Sequence, residues 1–237
     1  MSDLRRSQRV IEAVARRFSA TWEAGKGDSP AAYLNIEGAR VAIEIAAVKQ
    51  RPAARGSPAR PRLRFDRVAL GLIRRLQEAL AESVPVGRTV VITVTAPIRL
   101  ASRTAAATAE MIRQRLGRRS ARLEIEQTIN GNQIQARLAE DVSRRGSRVI
   151  GYVHNPDSDP EILFDITESL LRHVGRAASK RVAGRFAGDR WLVVACGDGG
   201  LPYFETYRQV FSQLAIPTGF RKVLLVLPDG RVEILAD

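Results

Sequence analysis

With 237 residues and 45% apolar content, the chain is long enough for one large domain or two small ones around a sizeable core, which excludes disorder as its overall state. Its 38 basic against 25 acidic residues leave a net charge of +13, which suits a polyanionic partner such as nucleic acid. Lys stands only at positions 26, 49, 180 and 222, so the same excess of Arg is also what a GC-rich genome produces.

A single cysteine, Cys196, excludes an internal disulfide and a thiolate zinc centre, and His154 and His173 are too few for a histidine-rich metal site. Any metal is therefore expected to be a hard cation held by carboxylates. No run approaches the roughly 18 consecutive apolar residues of a membrane helix, and no apolar segment stands behind the charged stretch from Asp3 to Arg9. This predicts a soluble, cytoplasmic protein with no membrane partner.

In chain order, Leu4, Val10, Ile11, Val14 and Phe18 recur at helical spacing and predict a helix over 4–24, ended by a Gly-Lys-Gly-Asp-Ser-Pro break. A hairpin is predicted over 31–48. The Pro/Arg/Gly segment 50–64 has no hydrophobic period and reads as a mobile basic loop. Asp66 is the expected N-cap of a helix through about Ser83 with Val68, Leu72, Ile73, Leu76 and Leu80 as its stripe. The β-branched run 88–98 predicts a strand buried on both faces, followed by a helix over 102–116, at whose start Ser102 and Thr104 read as helix-start residues.

Asn130-Gly131 suits a type I′ turn, and a two-residue loop there sets Leu123 opposite Leu138 and Ile125 opposite Ala136. Further predictions are a strand at 148–153, a long helix from Pro160 to about Phe186, a buried strand at 191–196, and a helix from Pro202 with Phe204, Tyr207, Val210, Phe211 and Leu214 on one face. A last hairpin turns at Asp229-Gly230, with Leu225 opposite Ile234 and Leu227 opposite Val232. Helices and strands alternate with hairpins interposed, so the expected fold class is α/β, a mixed β-sheet flanked by helices.

The strand RVAIEIAAV carries one acidic residue among apolar ones. Period two puts Val41, Ile43 and Ile45 on one face and Ala42, Glu44 and Ala46 on the other. Either this second face is solvated, where a Glu needs no explanation, or the small alanines leave room beside the carboxylate for a cation or a phosphodiester. The Gly-rich turn CGDGGLP (196–202) fits neither the P-loop nor the dinucleotide spacing and reads as a tight connection.

The order of an N-terminal helix, a hairpin with an acidic strand, a connecting helix and a further strand resembles the PD-(D/E)XK nuclease superfamily, the restriction-endonuclease-like fold. The resemblance covers about residues 5–48 and 160–196. It implies a nuclease-like core made of 1–49 and 159–237, interrupted by the basic loop 50–64 and an inserted α/β segment over 65–158. It also implies a Mg²⁺ site in which Glu44 matches the third-strand Glu, with Asn35 or Glu37 in place of the family's Asp and Glu12 as an added carboxylate.

Where the family has its Lys, this chain has Ala46; Lys49 has the wrong parity, and Lys180 on the long helix is the substitute. The implied function is nucleic-acid binding, DNA before RNA, through Arg51, Arg55, Arg60, Arg62 and Arg64, with catalysis impaired by the missing Asp and Lys; an active protein would hydrolyse phosphodiesters with Mg²⁺. The rival from another class is a non-catalytic interaction module, whose hairpins at 121–138 and 222–235 offer edges to a partner strand or to a second subunit of a homodimer.

Overall fold

The β-branched runs form strands and the helically spaced apolar stripes form helices, so the fold is α/β with two mixed sheets flanked by helices. A computed structural model describes residues 2–26, 29–48, 62–117, 123–141, 148–180, 186–197, 204–214 and 219–237. Along the chain these form α1 (Ser2–Arg17), β1 (Thr21–Ala24), β2 (Ala32–Ile36), β3 (Ala39–Val48), α2 (Arg67–Leu80), β4 (Arg88–Thr95) and α3 (Ala101–Gly117). There follow β5 (Glu124–Ile129), β6 (Asn132–Glu140), β7 (Val149–His154), α4 (Pro160–Ser179), β8 (Arg190–Cys196), α5 (Phe204–Gln213), β9 (Lys222–Val226) and β10 (Val232–Ala236). Among the described residues no helix is long and apolar enough to cross a membrane.

The chain divides into two units, one of 1–52, 172–204 and 216–237, the other of 53–171 and 205–215. The division falls within α4, where the sequence places a boundary at 158/159, and α5 belongs with the second unit. The reason is packing. Thr167 of α4 meets the Tyr152 hydroxyl of β7 at 2.8 Å, and Gln213 at the end of α5 binds the β7 backbone.

In the first unit the sheet runs β1-β2-β3-β8-β9-β10, with β8 parallel to both β3 and β9 and the outer pairs antiparallel. Val10, Ile11 and Val14 of α1 cover one face, against Val41, Ile43, Trp191, Val193 and Leu224. The predicted first helix is too long: its apolar stripe ends at Phe18, and beyond it Thr21 and Trp22, residues that favour strands, pair with β2 as β1.

The last hairpin also differs from its prediction. Glu233, not Ile234, stands opposite Leu225 and Val226 faces Val232, because the loop comprises Pro228, Asp229 and Gly230, with Gly230 at φ +82°. Such a loop with glycine in the left-handed position shifts the register by one residue. Val232 then joins the core while Ile234 is 43% exposed.

In the second unit the sheet runs β5-β6-β4-β7, with only β4 and β7 parallel. Apolar residues of α2 and α3, including Leu72, Leu76 and Ile112, cover the face that carries Val90, Ile92 and Ile134. Asp66 caps α2 as its position predicts, accepting from Val68 N at 3.1 Å and Ala69 N at 3.0 Å. Asn130 and Gly131 both have positive φ, and Ile125 faces Ala136.

β7 is an edge strand, and side chains cover its free groups. Gln213 accepts from Gly151 N and donates to Gly151 O, each at 2.9 Å, while Gln77 donates to Val149 O at 3.2 Å. This is the kind of device that keeps a sheet edge from pairing with another chain. The opposite edges, β5 here and β10 in the first unit, are the outer strands of the two hairpins singled out in the sequence.

Candidate functional site

Period two holds along β3: Val41 and Ile43 meet α1, and Ala42, Glu44 and Ala46 share the other face. That other face is not solvated, since Ala42 and Ala46 are buried and Glu44 is 1% exposed. A buried carboxylate requires partners. Ser29 Oγ donates to Glu44 Oε1, and Arg190 Nη2 lies 3.6 Å from the same oxygen.

Arg190 reaches Glu44 because β8 runs parallel to β3 with Arg190 beside Ala42, two residues back on the same face. The guanidinium is held from two further sides: it donates to Lys180 O at 3.2 Å and lies over the Phe220 ring at 4.8 Å. Its Nε has no hydrogen-bond partner among the described residues.

The other predicted site residues do not gather around Glu44. Asn35 is on the Glu44 face but pairs with Arg40, four residues along the strand and about 13 Å away. Glu37 forms the exposed β2–β3 turn at φ +49°. Glu12 lies on α1, which covers the opposite face of the sheet, and accepts from Gln8 Nε2 at 3.0 Å. Lys180 is exposed past the end of α4 and its carbonyl anchors Arg190, whose guanidinium is the cation seen at 3.6 Å from Glu44.

Of the predicted phosphate-binding residues, Arg51, Arg55 and Arg60 lie outside the described residues, as does Lys49. Arg62 and Arg64 are exposed, and Arg64 pairs with Asp66 at 3.3 Å. The Gly-rich turn lies outside them too beyond Gly197. Among the described residues no three His, Cys, Asp or Glu side chains come together in a way that could hold a metal ion. The residues assigned to Mg²⁺ thus do not fit one, because a hard cation needs several converging oxygens and Glu44 presents an oxygen already facing a guanidinium and a hydroxyl.

Ser29 and Arg190 were not identified from sequence. Arg190 left one signal, since it shares parity with Leu192 and Val194 at the head of a buried strand; Ser29 left none. Ser102 and Thr104 stand at the start of α3, as expected: Ser102 Oγ accepts from Arg75, and Thr104 Oγ1 donates to Arg99 O at 2.9 Å.

A second polar site occupies the C-terminal ends of the parallel strands β4 and β7, where Thr95 pairs with His154. His154 is 3% exposed, and its Nδ1 is 2.9 Å from the Asn155 carbonyl oxygen. A carbonyl only accepts, so Nδ1 carries the proton and Nε2 of the neutral ring is an acceptor, 3.4 Å from Thr95 Oγ1. Burial pushes the His154 pKa below the ordinary 6.5, against the weaker opposing pull of the Asn155 carbonyl, Asp159 and Asp157.

A histidine with a depressed pKa binds its proton in the unfolded chain first. Its contribution to stability is therefore full above about pH 6.5 and is lost as the pH falls from there towards the folded-state pKa. Urea unfolding between pH 7.5 and 5 is expected to show this loss, with a slope of at most about 1.4 kcal/mol per pH unit from this residue. The contribution should vanish in His154→Gln; an unchanged profile in that variant would place the titration elsewhere.

Compared with known protein families, with characterised proteins and with solved structures, the chain matches none.

Proposed function

We propose that this chain is a nucleic-acid-binding protein on a restriction-endonuclease-like core in which a guanidinium has taken the place of the catalytic cation. The observation that carries the reading is Glu44, a buried carboxylate on the second strand of the β2–β3 hairpin, held by Arg190 and Ser29. A guanidinium neutralises that carboxylate as a metal would. It holds no water and is no Lewis acid, so the two most demanding parts of metal-assisted hydrolysis are missing. The order of β2, β3 and the parallel β8 supports the same reading.

Binding rests on charge. The net +13 is presented by exposed arginines such as Arg5, Arg9, Arg16 and Arg17 on α1 and Arg62 ahead of α2. Phosphate contacts of this kind release counterions, so binding falls steeply with salt and depends little on sequence. DNA is the expected ligand before RNA.

The test is a gel-shift and cleavage assay on single- and double-stranded DNA and on RNA, with Mg²⁺, Mn²⁺ or EDTA, over a salt series. Wild-type protein is expected to bind without cleaving and to lose about 10³-fold in affinity between 50 and 200 mM salt. Replacing Arg51, Arg55, Arg60, Arg62 and Arg64 together by Gln should flatten the salt slope on duplex DNA by up to about 4.5. Metal-dependent cleavage that Glu44→Gln abolishes would make the protein a working nuclease and overturn the impaired reading. Absence of binding at low salt would sink the nucleic-acid reading and leave the β5 and β10 edges, and with them a protein partner or homodimer, as the surfaces to pursue.

A further inference from the structure

The pocket at the C-terminal ends of β4 and β7 has a volume of ≈ 320 Å³, enough for a small ligand, and its chemistry runs against that of the whole chain. In a protein of net charge +13, no Lys or Arg among the described residues lines it, and the one charged residue of that described lining is Glu126. Its hydroxyls and amides can donate or accept, but the Glu126 carboxylate, His154 Nε2 and Gln135 Oε1 are acceptors alone. His154 Nε2 is an acceptor because Nδ1–H is committed to Asn155 O, and its present contact, Thr95 Oγ1 at 3.4 Å, is long enough to be exchanged for a stronger donor.

Gln135 adds a second acceptor. Its amide nitrogen faces Glu126 Oε1 at 3.4 Å, which fixes the orientation of the amide, and its Oε1 is buried with no hydrogen-bond partner among the described residues. A buried unpartnered carbonyl is costly and is the kind of atom a ligand satisfies. Arg137, two residues along β6 on the same face, cannot serve it. Its guanidinium is committed to Glu161 at 2.7 and 2.5 Å and to Glu124 at 3.5 Å, above the Phe164 ring. The open ends of parallel strands are also where α/β sheets place their ligands.

We infer that this pocket binds an organic cation rich in N–H donors, an alkylammonium or guanidinium group, with Glu126, Gln135 Oε1 and His154 Nε2 as its acceptors. Pro156 and Pro160 line the same pocket and offer apolar contact to an alkyl stem. The inference is independent of the nucleic-acid reading, since a phosphate would meet acceptors here and be repelled.

The test is an NMR titration of the full chain, following the imidazole nitrogens of His154 with His173 as internal reference. Probes are agmatine, a blocked Gly-Arg-Gly peptide and inorganic phosphate. A saturable shift of His154 Nε2 is expected with a guanidinium probe and not with phosphate, and Glu126→Gln should weaken binding about tenfold. Saturation by agmatine points to a free metabolite; saturation by the peptide alone points to an arginine side chain of a protein, and either meets the proposal.

Three results would overturn it: no saturable shift with either guanidinium probe, a saturable shift with phosphate, or an affinity that neither Glu126→Gln nor Gln135→Leu changes. Because the wild-type titration alone can overturn it, the proposal does not depend on either variant folding.

Discussion

Arg190→Met is expected to lower the unfolding free energy by about 3–5 kcal/mol, the loss typical when one partner of a buried ion pair is removed. Methionine keeps much of the volume, so the loss comes from electrostatics more than from a cavity. Glu44, 1% exposed, would keep only Ser29 of the two partners described above. The pair itself need not be strongly stabilising: the Arg190 side chain is 20% exposed, its nearest approach is 3.6 Å, and its Nε is unpartnered. What is costly is half of it.

The double variant Glu44→Gln/Arg190→Met should therefore recover most of the loss, and urea melts of the two single variants and the double give the coupling energy directly. Arg190→Lys should fall between, because an ammonium keeps the charge but not the planar group that lies over Phe220 and brings Nη2 to both Glu44 and Lys180 O. A loss below about 1 kcal/mol in Arg190→Met would show that water screens Glu44, and the idea of a guanidinium standing in for a cation would fall with it.

Asn132→Ala is expected to cost about 3 kcal/mol, the sum over several buried backbone groups left unpaired. Asn132 is 1% exposed and opens β6 directly after the Asn130-Gly131 turn. Its Oδ1 accepts from Arg99 N at 2.7 Å; its Nδ2 donates to Arg99 O at 2.9 Å, Thr104 Oγ1 at 3.0 Å and Ile129 O at 3.0 Å. One amide thus ties the β5–β6 turn to the segment that leads from β4 into α3.

Asn132→Asp tests the direction of those bonds. It keeps the size and the acceptor for Arg99 N but turns a carboxylate oxygen towards two carbonyls, so it should be at least as damaging as alanine at neutral pH. Thermal or urea unfolding measures both. A near-neutral Asp variant would mean that only the Arg99 N–H bond matters.

Much of the fold was legible because its signals are local. Asp66 before an apolar stripe, Asn130-Gly131 between alternating segments and the β-branched run at 88–98 each dictate their structure within a few residues, and each forms as expected, the last as a strand that stops at Thr95. Failures came where a local signal was ambiguous. The stripe of α1 was carried past Phe18 into β1, and Pro228-Asp229-Gly230 accommodates a longer loop than a two-residue turn, which moves every later side chain of β10 by one.

By itself the sequence determined the face on which Glu44 lies, since period two along β3 depends on nothing else, and it set the net charge of +13. Only tertiary structure decided what that face meets. The parallel pairing of β3 with β8 places Arg190 beside Ala42, Ser29 closes in from the segment before β2, and the parallel pairing of β4 with β7 sets His154 beside Thr95. Register between strands far apart in the chain is chosen by the packing of whole faces at once, and no single residue carries it, so the partners of a buried charge are the last thing a sequence discloses.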